Sequence, residues 1–96
     1  MSHRVIYKYR LKIVDEQTLK LPKGAIVLAV MALDDTLQLW AQINPEEPET
    51  ADRVFRVIGT GHPIPDWQQL FYLATRATLV RGTPLVWHVY EKFEVR

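Results

Sequence analysis

Residues 59–62 read Gly59-Thr60-Gly61-His62. Two glycines spaced by one residue let consecutive backbone N–H groups point into one concavity, which can hold a phosphate or a carboxylate. The Thr60 hydroxyl and the His62 imidazole would add donors to that concavity. The string is not a P-loop, because no Gly-Lys-Ser/Thr ending follows and no convincing helix starts directly behind it. Its competing reading is a bulge or tight turn at which a strand leaves its sheet.

A second group is cationic. Lys8, Arg10 and Lys12 recur at every other position. Joined by Arg56 and Arg76 from other strands, they would make a sheet face able to clamp an anion, arginine doing so bidentately. The alternative is a solvated outer face, made basic to blunt edge pairing. Among the aromatics, Trp40 alternates with Gln38 and Gln42 and so lies on the less apolar face of its strand, while Trp67 falls in a loop. Either could stack on a base or fill a subunit interface. Trp87 belongs with the core. His62 and His88 lie far apart with no His-x-x-x-His spacing, a poor basis for a metal site. Nothing in the sequence fixes a base, a nucleophile and an orienting acid together, so no catalytic residue is assigned.

The bulk properties bound what these residues can serve. Ninety-six residues fit one domain, 1–96, with ordinary apolar (48%) and charged (24%) shares. A core is feasible without a metal or a disulfide. The chain has no cysteine, which removes thiolate nucleophiles, iron–sulfur clusters and cysteine zinc sites, and argues for a reducing compartment. The opening residues show no apolar region behind a basic start, and the longest apolar stretch, Ala25 to Leu33, is far short of the ~20 residues of a membrane span. A cytoplasmic location is expected. Net charge is +1, so no global field draws the chain to a nucleic-acid polymer. Charge is nevertheless uneven: lysines and arginines crowd the first quarter, and Glu46, Glu47, Glu49 and Asp52 crowd one loop.

Period-two alternation supplies the elements that must position the candidates. Val5, Tyr7, Tyr9, Leu11 and Ile13 share one strand face, opposite Ile6 and the cations. A turn and a short strand, Thr18 to Leu21, lead to Pro22-Lys23-Gly24, which ends it. The continuous apolar run Ala25 to Leu33 predicts a strand covered on both faces. Asp34-Asp35 marks a hairpin, and Thr36 to Asn44 returns with Leu37, Leu39, Ala41 and Ile43 on one side. Pro45 to Asp52 reads as a surface loop, and Arg53 to Ile58 as a strand. Asp66 could cap a short helical turn through Trp67-Gln68-Gln69. Leu70 to Val80 reads as a strand, with a helix as the alternative, and Leu85 to Val95 as the last strand. The pattern predicts an all-β fold with at most one short helix: a small antiparallel sandwich or barrel of about six to seven strands.

Taken in order, Lys8-Tyr9-Arg10-Leu11, Gln17, Leu21-Pro22-Lys23-Gly24-Ala25, Leu39-Trp40-Ala41, Gly59-Thr60-Gly61-His62 and Trp87-His88-Val89-Tyr90-Glu91 resemble a family of short tailed-phage proteins of unknown function. The resemblance spans nearly the whole chain, implies a phage origin and brings no assigned activity or catalytic residues. The resulting expectation is a non-enzymatic protein that binds a small anionic, nucleotide-like ligand, sequestering a signalling nucleotide of host immunity in the host cytosol. Arg56, Thr60, Gly61, His62 and Trp67 would carry binding, with Arg10 and Arg76 in support. No cofactor is expected, and the partners are a nucleotide ligand and further copies of the chain. The alternative is a protein–protein module, either an inhibitor of a host protein or an accessory phage component.

Overall fold

The computed structural model describes residues 3–93. Seven strands form: β1 (Val5–Leu11), β2 (Glu16–Pro22), β3 (Ile26–Leu33), β4 (Thr36–Ile43), β5 (Thr50–Gly59), β6 (Leu70–Val80) and β7 (Thr83–Lys92), with one 3-10 turn at Trp67–Gln69. They make two antiparallel sheets, ordered β1-β4-β3 and β2-β5-β7-β6. Among the described residues no helix is long and apolar enough to cross a membrane.

The alternation read along β4 is fully realised. Leu37, Leu39, Ala41 and Ile43 are all buried, and they meet Phe55 and Val57 of β5, Val89 of β7 and Ala74 of β6 in one core shared by both sheets. The β3–β4 hairpin turns on Asp34 and Asp35 at φ +49° and +61°, the paired left-handed conformation of a two-residue hairpin turn, which aspartate tolerates. Its tip is tied to the second sheet, where the Leu79 N–H donates to Asp35 Oδ1 at 3.0 Å.

Three expectations need correction. The run from Ala25 to Leu33 is not covered on both faces: Val30 is buried, but Ile26, Leu28, Met31 and Leu33 are exposed. A register shift between Val27 and Ala29 inserts Leu28 as a bulge, and β3 lies at the edge of its sheet. Ile13 does not continue the buried face of β1, since the strand ends at Leu11 and both Ile13 and Val14 stand exposed in the following turn. That turn is held instead by Gln17, whose side chain bonds both the N–H and the carbonyl of Lys12. The acidic stretch is partly strand, because β5 starts at Thr50. Lys20 pairs with Asp52 at 2.9 Å and Lys23 with Glu49 at 3.3 Å, so part of the uneven charge cancels locally. Val95, expected in the last strand, lies outside the described residues.

One connection shapes the candidate site. Strands β5 and β6 are both antiparallel to β7, which lies between them. Residues 60–69 must therefore return along the sheet from the level of Trp87 to that of Lys92. They do so over its outer face, and Ile58, which points away from the core, is buried there.

Candidate functional site

The site begins where β5 ends. Gly59 is the last residue of β5 and stands opposite Trp87 of β7. Beyond it the His62 N–H donates to the Gly59 carbonyl at 3.1 Å, closing a turn with Thr60 and Gly61 at its centre. Gly61 takes φ +90°, a conformation that costs a residue with a Cβ but not glycine. The turn folds the imidazole back over Gly59. A Cβ at residue 59 would lie 3.2 Å from His62 Cε1, 3.3 Å from His62 Nδ1 and 3.4 Å from Trp87 Cζ3. The missing side chain is what lets the two rings approach the strand end together.

Beside this turn β7 has a free edge. Only Trp87 to Lys92 pair with β5, whereas Thr83 to Val86 pair with β6 alone. The notch between the end of β5 and this edge is a cavity of about 460 Å³ lined by Gly59, Thr60, His62, Trp87 and the Pro84–Val86 segment. That volume is within the range of about 300–1,000 Å³ typical of small-molecule sites. The Trp87 indole is fixed in its wall, since Nε1–H donates to the buried Thr78 hydroxyl at 2.9 Å.

A polar chain runs from the rim across the outer face. Thr60 Oγ1 shares a 2.7 Å hydrogen bond with His88 Nε2. His88 Nδ1 is 3.0 Å from Thr75 Oγ1, which bonds the Tyr72 hydroxyl at 2.7 Å. Each hydroxyl can both donate and accept, so the chain satisfies both imidazole nitrogens. His88 is thus half-buried and engaged.

Of the candidates named from sequence, Thr60 and His62 line the cavity, and Gly61 lies in the turn between them. Arg56 is engaged elsewhere: its Nε–H donates to the Asp15 carbonyl at 2.6 Å, and its guanidinium pairs with Asp66 Oδ2. Lys92 Nζ lies 3.4 Å from the same Asp66 oxygen and 3.4 Å from Glu16 Oε1. Asp66 therefore pins the returning connection to the strands beneath it. The Arg56 hydrogen bond holds the Asp66 carboxyl below the usual carboxylate range, against the opposing effect of burial. Asp66 makes no side-chain cap on the 3-10 turn, contrary to expectation. Trp67 is exposed on that turn. Arg10 is exposed on β1 in the other sheet, and Arg76, exposed on β6, donates to the Thr75 carbonyl at 2.7 Å. The cations do not converge. Among the described residues no group of three or more His, Asp or Glu side chains is placed to hold a metal ion.

Sequence reasoning missed Gly59 as a close-approach position and the Pro84–Val86 wall; Trp87 packs against the core as expected and lines the cavity as well. The one signal available was the Gly-Thr-Gly-His string itself, which marks a turn but not what faces it.

Fold and cavity together define a two-sheet all-β domain with a small-molecule-sized notch at one strand end. The chain belongs to the family described as a domain of unknown function (DUF7352), whose model matches residues 2–96. No curated protein matches the chain, and no solved structure does.

Proposed function

We propose that this is a phage protein that binds, without turning over, one small nucleotide-like ligand in the notch between His62 and Trp87. In an infected cell it would sequester a nucleotide signal of host immunity. The observation that carries this reading is the cavity of about 460 Å³ that sets the Gly59–His62 turn against Trp87. Two rings at its walls suit a flat heterocycle, since stacking on an aromatic side chain is worth about 1–3 kcal/mol per base. Thr60 supplies a hydroxyl at the rim. Among the described residues no lysine or arginine lines the cavity, so the heterocycle would enter and the anionic end would face solvent beside His62.

The test is thermal unfolding in the presence of cyclic nucleotides and ADP-ribose derivatives. A ligand at a hundredfold excess over its Kd stabilises by about 2.7 kcal/mol. For a domain of this size that is an upward shift of roughly 10 °C or more. The reading predicts such a shift for at least one of these ligands and its loss in Gly59→Val. Unchanged melting with all of them contradicts it.

A second reading, a protein–protein module, is favoured by a separate observation. Fifteen large apolar side chains are exposed among the described residues, more than isolated surface hydrophobics account for.

A further inference from the structure

The outer face of the β1-β4-β3 sheet carries the densest part of that exposed apolar surface. Ile6 is 57% exposed, Ile26 54%, Leu28 48%, Met31 45% and Leu33 42%. The register explains why they share a face. Ile6 and Ile26 both pair with Gln42, Met31 pairs with Gln38, and Leu33 pairs with Thr36. All of these positions are out of phase with the buried residues of β4. The bulge at Leu28 lets Leu28 and Ala29 both oppose Trp40, which is only half-buried at the centre of the face. The face is therefore an apolar column along β3, a tryptophan in the middle, and Lys8 and Arg10 along β1.

We infer that this face is the interface of a homodimer, two copies packing face to face with the two-fold axis running along β4. The area fits: five half-exposed aliphatic chains present on the order of 400 Å² of apolar surface. Trp40 and the stems of Lys8, Arg10, Gln38 and Gln42 bring the face toward the ~800 Å² per partner of a standard interface. The charges select a second copy and this axis. Rotation about β4 lays β1 of each copy over β3 of its partner without reversing the strand direction. Lys12 follows Leu11, which pairs with Leu37 one residue from Thr36 and its partner Leu33, so it arrives near the exposed Asp34–Asp35 turn of the partner copy. Arg10 lies over the partner's Met31. A two-fold axis across the strands would instead stack β1 on β1 and bring cations onto cations, which is unfavourable. The face lies on the three-stranded sheet, away from the notch at the end of β5, so the inference stands apart from the ligand reading.

Sedimentation equilibrium of the chain is expected to return twice its 11.2 kDa mass. Met31→Glu, at an exposed position, is expected to return a single mass with an unchanged circular dichroism spectrum. Arrangement is read by cross-linking, which the cysteine-free sequence makes unambiguous. Lys8 and Ala29 flank Trp40 on opposite strands. Within one chain they are two strand spacings apart, about 9–10 Å, and facing sheets lie about 10 Å apart, so both distances exceed the ~7 Å limit for a disulfide. With a bis-maleimide spanning about 10 Å, the Lys8→Cys/Ala29→Cys double variant is expected to form a covalent dimer, and neither single variant is, because equivalent thiols lie diagonally farther apart. A wild-type monomer overturns the inference, as does a dimer that survives Met31→Glu. A cross-linked dimer formed by Lys8→Cys alone overturns the axis. If Met31→Glu fails to fold, the cross-linking result decides.

Discussion

Thr60 Oγ1 and His88 Nε2 share a 2.7 Å hydrogen bond although twenty-eight residues separate them. It ties the turn after β5 to the middle of β7, and so sets the distance between the two walls of the notch. Thr60→Val keeps the side-chain volume but removes the hydroxyl, leaving one nitrogen of a half-buried imidazole without its partner. The expected cost is about 1 kcal/mol, or about 4–8 °C in Tm, with Thr60→Ser near wild type. Thermal unfolding of the three proteins checks this.

Gly59 and Gly61 are expected to fail differently. A side chain at residue 59 meets the His62 ring and Trp87, so Gly59→Val displaces the imidazole and fills the notch. Gly61 has open space around it but sits at φ +90°. Gly61→Ala is expected to cost about 1–2 kcal/mol of stability from backbone strain while leaving the notch open. Binding and melting measured on both variants separate the two effects.

The Asp66 carboxyl sits below its usual range because Arg56 hydrogen-bonds it. A lowered folded-state value means the folded chain holds fewer protons than the unfolded chain near pH 4. The stabilisation is therefore complete above the unfolded value of about 3.9 and is lost as pH falls through the lower folded one. Asp66→Asn is expected to lower stability by about 2 kcal/mol at neutral pH. The Tm difference from wild type should be flat above about pH 5 and narrow below about pH 4. A gap independent of pH would show that the ion pair is not what pins the connection.

Trp87→Phe keeps a ring in the wall but strips the buried Thr78 hydroxyl of the indole N–H. The expected cost is about 1–2 kcal/mol, with binding weakened rather than abolished. Trp87→Phe combined with Thr78→Val removes both partners and should recover part of the loss. Denaturant unfolding of the single and double variants measures it.

How far the sequence could be read depended on how local each feature is. Leu37, Leu39, Ala41 and Ile43 announce a buried strand face because the period of two is written in consecutive residues. Asp34-Asp35 announces its hairpin for the same reason. The run from Ala25 to Leu33 misleads, because apolar residues on both faces do not say which face the chain itself covers. The half that stays open is the face assigned to a second copy. At the site, Thr60, Gly61 and His62 were legible as a turn with donors. The opposing wall was not, since it depends on Gly59 falling opposite Trp87, a register no local pattern encodes. Arg56 was legible as a cation beside that turn. Its engagement with Asp66 was not, because Asp66 reaches it only through a connection that recrosses the sheet. The Arg53 guanidinium was passed over altogether, yet it grips Glu91 through two nitrogens and the Ala25 carbonyl through a third at 2.8 Å.

Binding of a small molecule in the notch between His62 and Trp87 underlies the proposed function. Native mass spectrometry of the chain, drawn from cells with active nucleotide signalling, reads that occupancy. Added mass of a nucleotide-like compound is expected on the wild-type chain and not on Gly59→Val prepared in parallel. A bare wild-type mass, or the same adduct on both proteins, would contradict it.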